Sequence, residues 1–479
     1  MFPSAIRTAA GAHRRVRPLL FQEAAMDFTA LVQSQHDYFL TGATRPVSFR
    51  EAALRKLRTA ILDNRQALEL AMEQDFHKPA AEVYMTEIGM VLSEIRCHLH
   101  GLPVWAAEKP VPTPLSQFPA RSFLSPEPYG SVLILAPWNY PIQLCLTPLV
   151  GAISAGNCAV VKPSAYTPAT SRAIARLLSE TFDPAFVAAV EGGRRENQAL
   201  LDEPFDYIFF TGSKAVGRLV MEKAAQHLTP VTLELGGKSP VIVDGTADLR
   251  TAARRVMFGK VLNAGQTCVE PDYAFVREDA LEPFLAGCRE ALAEFFPDGG
   301  FGEMPVIVNE KHYARVKALL SSGRAVIGGG FDDTRRFIEP TVLTDVSLDS
   351  PVMQEEIFGP ILPVIVYSDL QTCIDYIRAH DKPLALYLFT RSRLTERLVL
   401  DSCSFGGGCI NDTIVHLASD RLPFGGVGAS GMGSYHGRKS FEVFSHTRSM
   451  LKKPFWPDLP MRYHPYTEKR LALVKAFLK

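Results

Sequence analysis

The 479-residue chain has no surplus of either charge, since Lys plus Arg and Asp plus Glu both number 51. Without a net field to attract a polyanion, neither nucleic acid nor an anionic membrane surface is expected as a partner. The eight cysteines contain no C-x-x-C pair and no paired Cys/His spacing, so no zinc or other metal site and no disulfide framework is expected. A reducing compartment follows, and the cytoplasm is the expected location. Charge is also missing between Glu127 and Lys162, a stretch long enough to suggest a membrane span. Pro137, Asn139, Pro141, Pro148 and Asn157 interrupt it, so it reads as a buried strand, loop, helix and strand. Internal repeats are absent, as is the dinucleotide fingerprint G-x-G-x-x-G. The GKS at 237–239 fails as a phosphate-binding loop because position 232, where glycine is required, holds Thr232.

What is present is an ordinary globular composition, 47% hydrophobic and 21% charged, at a length that suits two or three domains. Residues 1–25 carry Arg7, Arg14, Arg15 and Arg17 and no acid before Glu23. They read either as a transit peptide or as sequence upstream of a true start at Met26, where MDFTALVQSQ opens an amphipathic helix. In both cases they lie outside the fold, and the absence of a clear cleavage site favours the second. A helical region to about residue 100 is followed by a proline-rich, extended arm over 110–130. Short β-like runs (SVLILA, CAVVK, FVAAV, YIFFT, TLEL) then alternate with helix-like segments. A second such series follows Gly236: SPVIVD, YAFV, ILPVIVY, LALYLF and GGCIN. Strand alternating with helix predicts an α/β fold of two doubly wound domains with parallel sheets. The expected division is 26–232 for a dinucleotide-binding domain interrupted by the arm, 233–422 for a catalytic domain, 423–462 for a bridging segment with a β-like FEVFSH, and 463–479 for a tail.

Three stretches could carry chemistry. In LNAGQTCVEPD, Cys268 follows Asn, Gly, Gln and Thr, surroundings too polar for the buried hydrophobe that a cysteine usually is. In TLELGGKSP, Glu234 stands at a strand end before two glycines that permit a tight turn and a close approach. In PWNYP, two prolines hold Asn139, and a rigid amide donor suits an oxyanion hole, although taken singly a turn Asn satisfying local backbone is the better explanation. FFTGSKAVG adds Ser213, a good helix N-cap between Gly212 and Gly217, where an anion could meet free amides.

PWNYP, VVKPS, FFTGS, LELGGKSP, GQTC, EEIFGP and PFGGVGASGMG together resemble the NAD(P)-dependent aldehyde dehydrogenases in order and spacing, from about Met26 to about 450. The closing PFGGVGASGMGSYHG is most similar to the class 3 branch. That resemblance implies oxidation of a medium-chain aliphatic or aromatic aldehyde to its acid, with Cys268 as nucleophile, Asn139 as oxyanion donor and Glu234 as base. It assigns Lys162, Gly212, Ser213, Gly217, Glu356 and Phe358 to the cofactor, and places Tyr140 and the segment IVHLAS (414–419) beside the aldehyde. It implies a homodimer built through a small β arm. Ala165 stands where many relatives place a Glu that repels a 2′-phosphate, so NADP is expected beside NAD. Two other readings are a thiol hydrolase pairing Cys268 with His312 or His416, and a binding or structural protein that kept the fold without catalysis.

Overall fold

The structure is a computed structural model, and it describes residues 28–477. The expectations for residues 1–25 therefore lie outside the described residues. Six helical segments from Phe28 to Trp105 come first. Their apolar residues recur at three and four, and Leu54, Leu57, Ile61, Leu68 and Met72 are fully buried in consequence.

Two sheets follow. In the first, five parallel strands lie in the spatial order Val231–Glu234, Tyr207–Thr211, Ser131–Leu135, Cys158–Lys162, Val187–Ala189. The order reverses between Ser131–Leu135 and Tyr207–Thr211. In such sheets the crevice beyond the carboxyl ends of the strands at the reversal takes the ligand. The second sheet has seven strands: Arg324–Ile327, Thr341–Thr344, Ile361–Tyr367, Tyr273–Arg277, Pro240–Val243, Ala385–Phe389 and Gly407–Ile410. Neither sheet is purely parallel, because Arg324–Ile327 and Gly431–Met432 each add an antiparallel edge strand. Gly431–Met432 joins the first sheet beside Val231–Glu234, so a segment late in the chain closes over the end of an early strand.

The division drawn at 232 falls inside the strand Val231–Glu234; the chain passes from one sheet to the other between Glu234 and Pro240. That passage is the LGGKS turn. The charge-free run forms strand Ser131–Leu135, a loop, helix Gln143–Ala155 and strand Cys158–Lys162, with both strands and the helix buried throughout. Among the described residues no helix is long and apolar enough to cross a membrane. Leu133, Ile134, Val160 and Val161 are fully buried, and each such side chain contributes about 1.5–3 kcal/mol by leaving water.

FEVFSH is not a strand from its first residue. Helix Arg438–Val443 precedes strand Ser445–Lys452. Phe441 and Phe444 sit three residues apart, a helical spacing that turns both rings inward, and the Phe444 ring packs over Gly151 of helix Gln143–Ala155. Ser445–Lys452 then pairs antiparallel along the arm strand Arg121–Pro128, whose other edge holds Lys109–Val111.

Candidate active site

The carboxyl ends of the first sheet supply most of the site. Strand Ser131–Leu135 runs into the loop bearing Asn139, Tyr207–Thr211 into Gly212 and Ser213, and Val231–Glu234 ends on Glu234 itself. The Gly212 amide donates to the Glu234 carbonyl at 3.0 Å, which ties two of these ends together. Ser213 caps helix Lys214–His227 by accepting the Val216 N–H at 3.5 Å, leaving the first amides of a 14-residue helix directed at the crevice.

The loop that bears Cys268 comes from the second half of the chain. Helix Leu249–Val261 stops and the backbone turns through Asn263, Ala264 and Gly265 with φ of 51°, 51° and 70°. Left-handed backbone costs a non-glycine residue about 1–2 kcal/mol. Fixed hydrogen bonds offset that cost. The Asn263 amide donates to the Asn139 carbonyl at 2.8 Å and to the Gln266 carbonyl at 3.1 Å. Gln266 donates to the carbonyls of Asn263 and Val306 and accepts the Val308 N–H. The Asn139 side chain donates to the Gln266 carbonyl at 3.1 Å, leaving its second N–H available. Tyr140 bonds Thr267 through its hydroxyl at 2.6 Å, and its ring lies under the Lys78 ammonium at 4.3 Å. Glu82, 181 residues upstream, accepts the Asn263 N–H at 2.8 Å.

Cys268 stands where two cavities meet. One, of about 150 Å³, is walled by Met85, Met90, Leu144, Phe258, Ile414 and Leu417, with Tyr140 beside them. The other, of about 300 Å³, is lined by Asn139, Gly212, Ser213, Glu234, Glu356 and Phe358, and also by Trp138, His312 and Arg315. Seven of the ten residues singled out in the sequence thus gather at this second cavity, Cys268 included. Tyr140 and Ile414, Val415, Leu417 and Ala418 of the IVHLAS segment fall on the first. Gly217 touches neither: a Cβ there would come within 2.7 Å of Leu235 Cδ2, so its missing side chain lets the helix lie against the strand end. Lys162 ends the neighbouring strand, and its ammonium donates to the carbonyls of Pro163 and Gly192 at 2.8 and 2.6 Å.

Burial sets the protonation states. Glu234 is buried, neither carboxyl oxygen has a hydrogen-bonding protein partner, and its pKa is held well above the usual carboxylate range. Glu356 is pushed up to about 8, first by burial and then by Asp272, against the Gly237 N–H that it accepts at 3.2 Å. Burial also raises the Cys268 thiol, and Glu356 and Glu234 add to the shift. Burial draws Lys162 down to about 8. The site thus sets a cysteine thiol and a buried carboxyl beside a helix start that can accept an anion and a second buried carboxyl.

Trp138 and Arg315 were not singled out in the sequence, and His312 was considered there only as a partner for Cys268 in a thiol hydrolase, not as part of this cavity wall. Trp138 stands inside PWNYP and packs edge-on to Phe358 at 5.3 Å, so the motif itself was the available signal. His312 and Arg315 lie on helix Glu310–Leu319, whose pattern is that of an ordinary surface helix. Among the described residues neither His312 nor His416 is hydrogen-bonded to Cys268. His416 instead lies 3.6 Å from the sulfur of Cys409, and burial lowers both imidazoles to about 4. No group of three or more His, Cys, Asp or Glu is placed to hold a metal ion among the described residues.

Comparison with known proteins gives a family match over residues 20–450, to the model described as the aldehyde dehydrogenase family. The chain is 47% identical over 451 residues to 4,4'-diaponeurosporen-aldehyde dehydrogenase of Staphylococcus aureus, covering 92% of this chain and 97% of the relative. It is 45% identical over 440 residues to human aldehyde dehydrogenase family 3 member B1, covering 91% and 94%. A solved structure, the substrate-bound state of Staphylococcus aureus AldH, superposes with a TM-score of 0.92 at 46% identity, over 94% of this chain and 99% of that one.

Proposed function

Because the chain belongs to the aldehyde dehydrogenase family and is an enzyme that oxidises aldehydes to acids, we propose that it does so through Cys268, Asn139 and Glu234. The observation that carries this reading is the position of Cys268 at the junction of an apolar cavity and a polar one that also contains Glu234 and Asn139. An aldehyde enters from the apolar side. The Cys268 thiolate attacks its carbonyl carbon, and the oxyanion is met by the free N–H of Asn139 and the Cys268 backbone amide.

NAD(P) fits the second cavity, where Gly212, Ser213 and the helix start would face its diphosphate. Lys162 would bond the adenosine ribose and Glu356 the nicotinamide ribose, with Phe358 packed beside it. When bound it supplies the acceptor for the aldehyde hydrogen. The carbon, now at the acid oxidation level as a thioester on Cys268, is released by water from which Glu234 removes a proton. The apolar walls suit a medium-chain aliphatic or aromatic aldehyde. The chain acts in the cytoplasm, and the arm strands Arg121–Pro128 and Ser445–Lys452 serve a homodimer.

Glu234→Gln tests the assignment. A burst of about one reduced cofactor per site should persist, while steady turnover falls about 100-fold or more; an unchanged steady rate removes Glu234 from the mechanism. Cys268→Ala should abolish both phases. Ala165 beside Lys162 places no carboxylate against a 2′-phosphate, so NADP should support turnover alongside NAD. Steady-state rates with each cofactor decide this, and negligible turnover with NADP would refute it.

A further inference from the structure

The residues just past Cys268 hold the loop that bears Glu356 and Phe358. Glu270 is buried and accepts the Gly359 N–H through Oε1 at 3.3 Å, while its Oε2 meets the fully buried Lys260 ammonium at 2.7 Å. Asp272, equally buried, accepts the Ile357 N–H through Oδ2 at 3.0 Å and meets Lys238 through Oδ1 at 2.5 Å. Lys238 also donates to the carbonyls of Val352 and Glu355, each at 2.8 Å. From the other side Arg315 donates to the carbonyls of Glu356 and Ile357 at 3.0 and 2.7 Å. Every backbone polar group from the Glu356 carbonyl to the Gly359 N–H that could bond a carboxylate or a guanidinium is taken up, except those of Phe358. Phe358 itself has φ of +50°, a conformation that a bulky side chain adopts only when its neighbours impose it.

The two loops also touch directly. A Cβ on Gly265, at φ of +70°, would fall 2.3 Å from the Gly359 carbonyl oxygen and 2.6 Å from Glu270 Oε2. Only glycine permits that approach.

We propose that Glu270 and Asp272, with Lys260 and Lys238 as their counter-charges, are positioning residues that lock the Glu356–Phe358 loop to the nucleophile loop and so set where the nicotinamide end of the cofactor lies relative to Cys268. Two carboxyl groups two residues apart take two amides two residues apart, on either side of the left-handed Phe358. A buried ion pair contributes little net stability compared with an apolar pair of similar volume, so stability alone does not account for it. What it supplies is register: a buried carboxyl fixed at one oxygen by its lysine holds the other oxygen in place for the backbone N–H of the facing loop, as Glu270 does between Lys260 and Gly359. This inference rests on the assignment of Cys268 as nucleophile and Glu356 as a cofactor residue.

The experiment separates the two halves of the site. Hydrolysis of 4-nitrophenyl acetate in the absence of cofactor needs Cys268, the oxyanion donors and Glu234 but not the Glu356–Phe358 loop. Aldehyde oxidation and NAD binding need both. The variants are Lys260→Met/Glu270→Ala, which leaves no orphaned buried charge, and Asp272→Asn, whose partner Lys238 can reach solvent. Far-UV circular dichroism establishes folding, and if the double variant does not fold, Asp272→Asn decides alone.

The expected result is ester hydrolysis within about threefold of wild type. Calorimetrically measured NAD affinity should weaken about tenfold, with a matching rise in the KM for NAD, and the primary isotope effect with a 1-deuterated aldehyde should increase. Parallel losses of ester hydrolysis and aldehyde oxidation would make Glu270 and Asp272 supports of the nucleophile loop itself and overturn the proposal. Unchanged NAD affinity and isotope effect would overturn it as well. Should Cys268→Ala retain either wild-type activity, the nucleophile assignment fails, and that failure is read independently of the clamp variants.

Discussion

At the residue scale the chemistry is governed by protons that burial holds in place. Glu234, Glu356 and Cys268 all have pKa values raised above their ordinary ones, first by burial, and the thiol is raised further by the two carboxyls. In the proposed mechanism each must lose its proton, Glu234 as base, Glu356 as ribose acceptor and Cys268 as nucleophile. The sign follows: the active forms are gained as pH rises, so kcat/KM for the aldehyde should climb from pH 6 through pH 8 and beyond, well past the range of an exposed carboxylate. Burial and the neighbouring Asp272 hold the Glu356 carboxyl at about 8. Glu356→Gln should therefore remove the component of the cofactor-dependent profile near that pH and leave the remaining rise intact. A pH–rate series from 5.5 to 9.5 on both proteins is the check, and a flat wild-type profile above pH 6 would contradict the protonation states argued from burial.

At the element scale the decisive packing is between helix Lys214–His227 and the end of strand Val231–Glu234. Gly217 lies in that contact, where a Cβ would come 2.7 Å from Leu235. Gly→Ala within a helix gains about 1 kcal/mol of intrinsic propensity, whereas forcing a methyl into a packed contact costs about 1–3 kcal/mol. The packing loss wins. Gly217→Ala should lower stability by about 1 kcal/mol or slightly more in a denaturant titration, and raise the KM for NAD by shifting the Ser213 helix start, while the KM for the aldehyde stays level. A stabilised variant would mean that the helix has room to move. The same scale explains why FEVFSH, β-like in composition, begins as a helix: helical spacing buries both rings, Phe441 against Trp105 and Phe444 over Gly151 of helix Gln143–Ala155.

At the scale of the whole molecule two separate parts of the chain each bring half of a site. The first sheet presents Asn139, Ser213 and Glu234, the second half brings Cys268 and Glu356, and the late segment 423–437 closes over both through Gly431–Met432. The result is two entrances to one sulfur. Because the cavities share only their inner end, narrowing one should spare the other. Met90→Trp, on the aldehyde side, should reduce kcat/KM for hexanal at least about tenfold while leaving the KM for NAD within twofold. Equal loss on both substrates would show that the cavities are not independent.

Much of this was written in the order of motifs. An α/β alternation, a charge-free run too broken by proline to span a membrane, and Asn, Glu and Cys at strand ends or in polar turns are local features, and local features survive translation into sequence. The family resemblance added roles to residues whose types alone left turn and packing explanations open. The sequence does not encode distance. That Glu82 would hold Asn263, that Glu270 and Asp272 would reach the amides of Gly359 and Ile357, and that Glu234 would lie buried without a protein partner depend on segments about 85 to 180 residues apart meeting in one place. The chain by itself determined which groups are available and in what order. Only the tertiary structure decided which are desolvated, because burial, and with it the protonation state and reactivity of each group, belongs to the packed molecule.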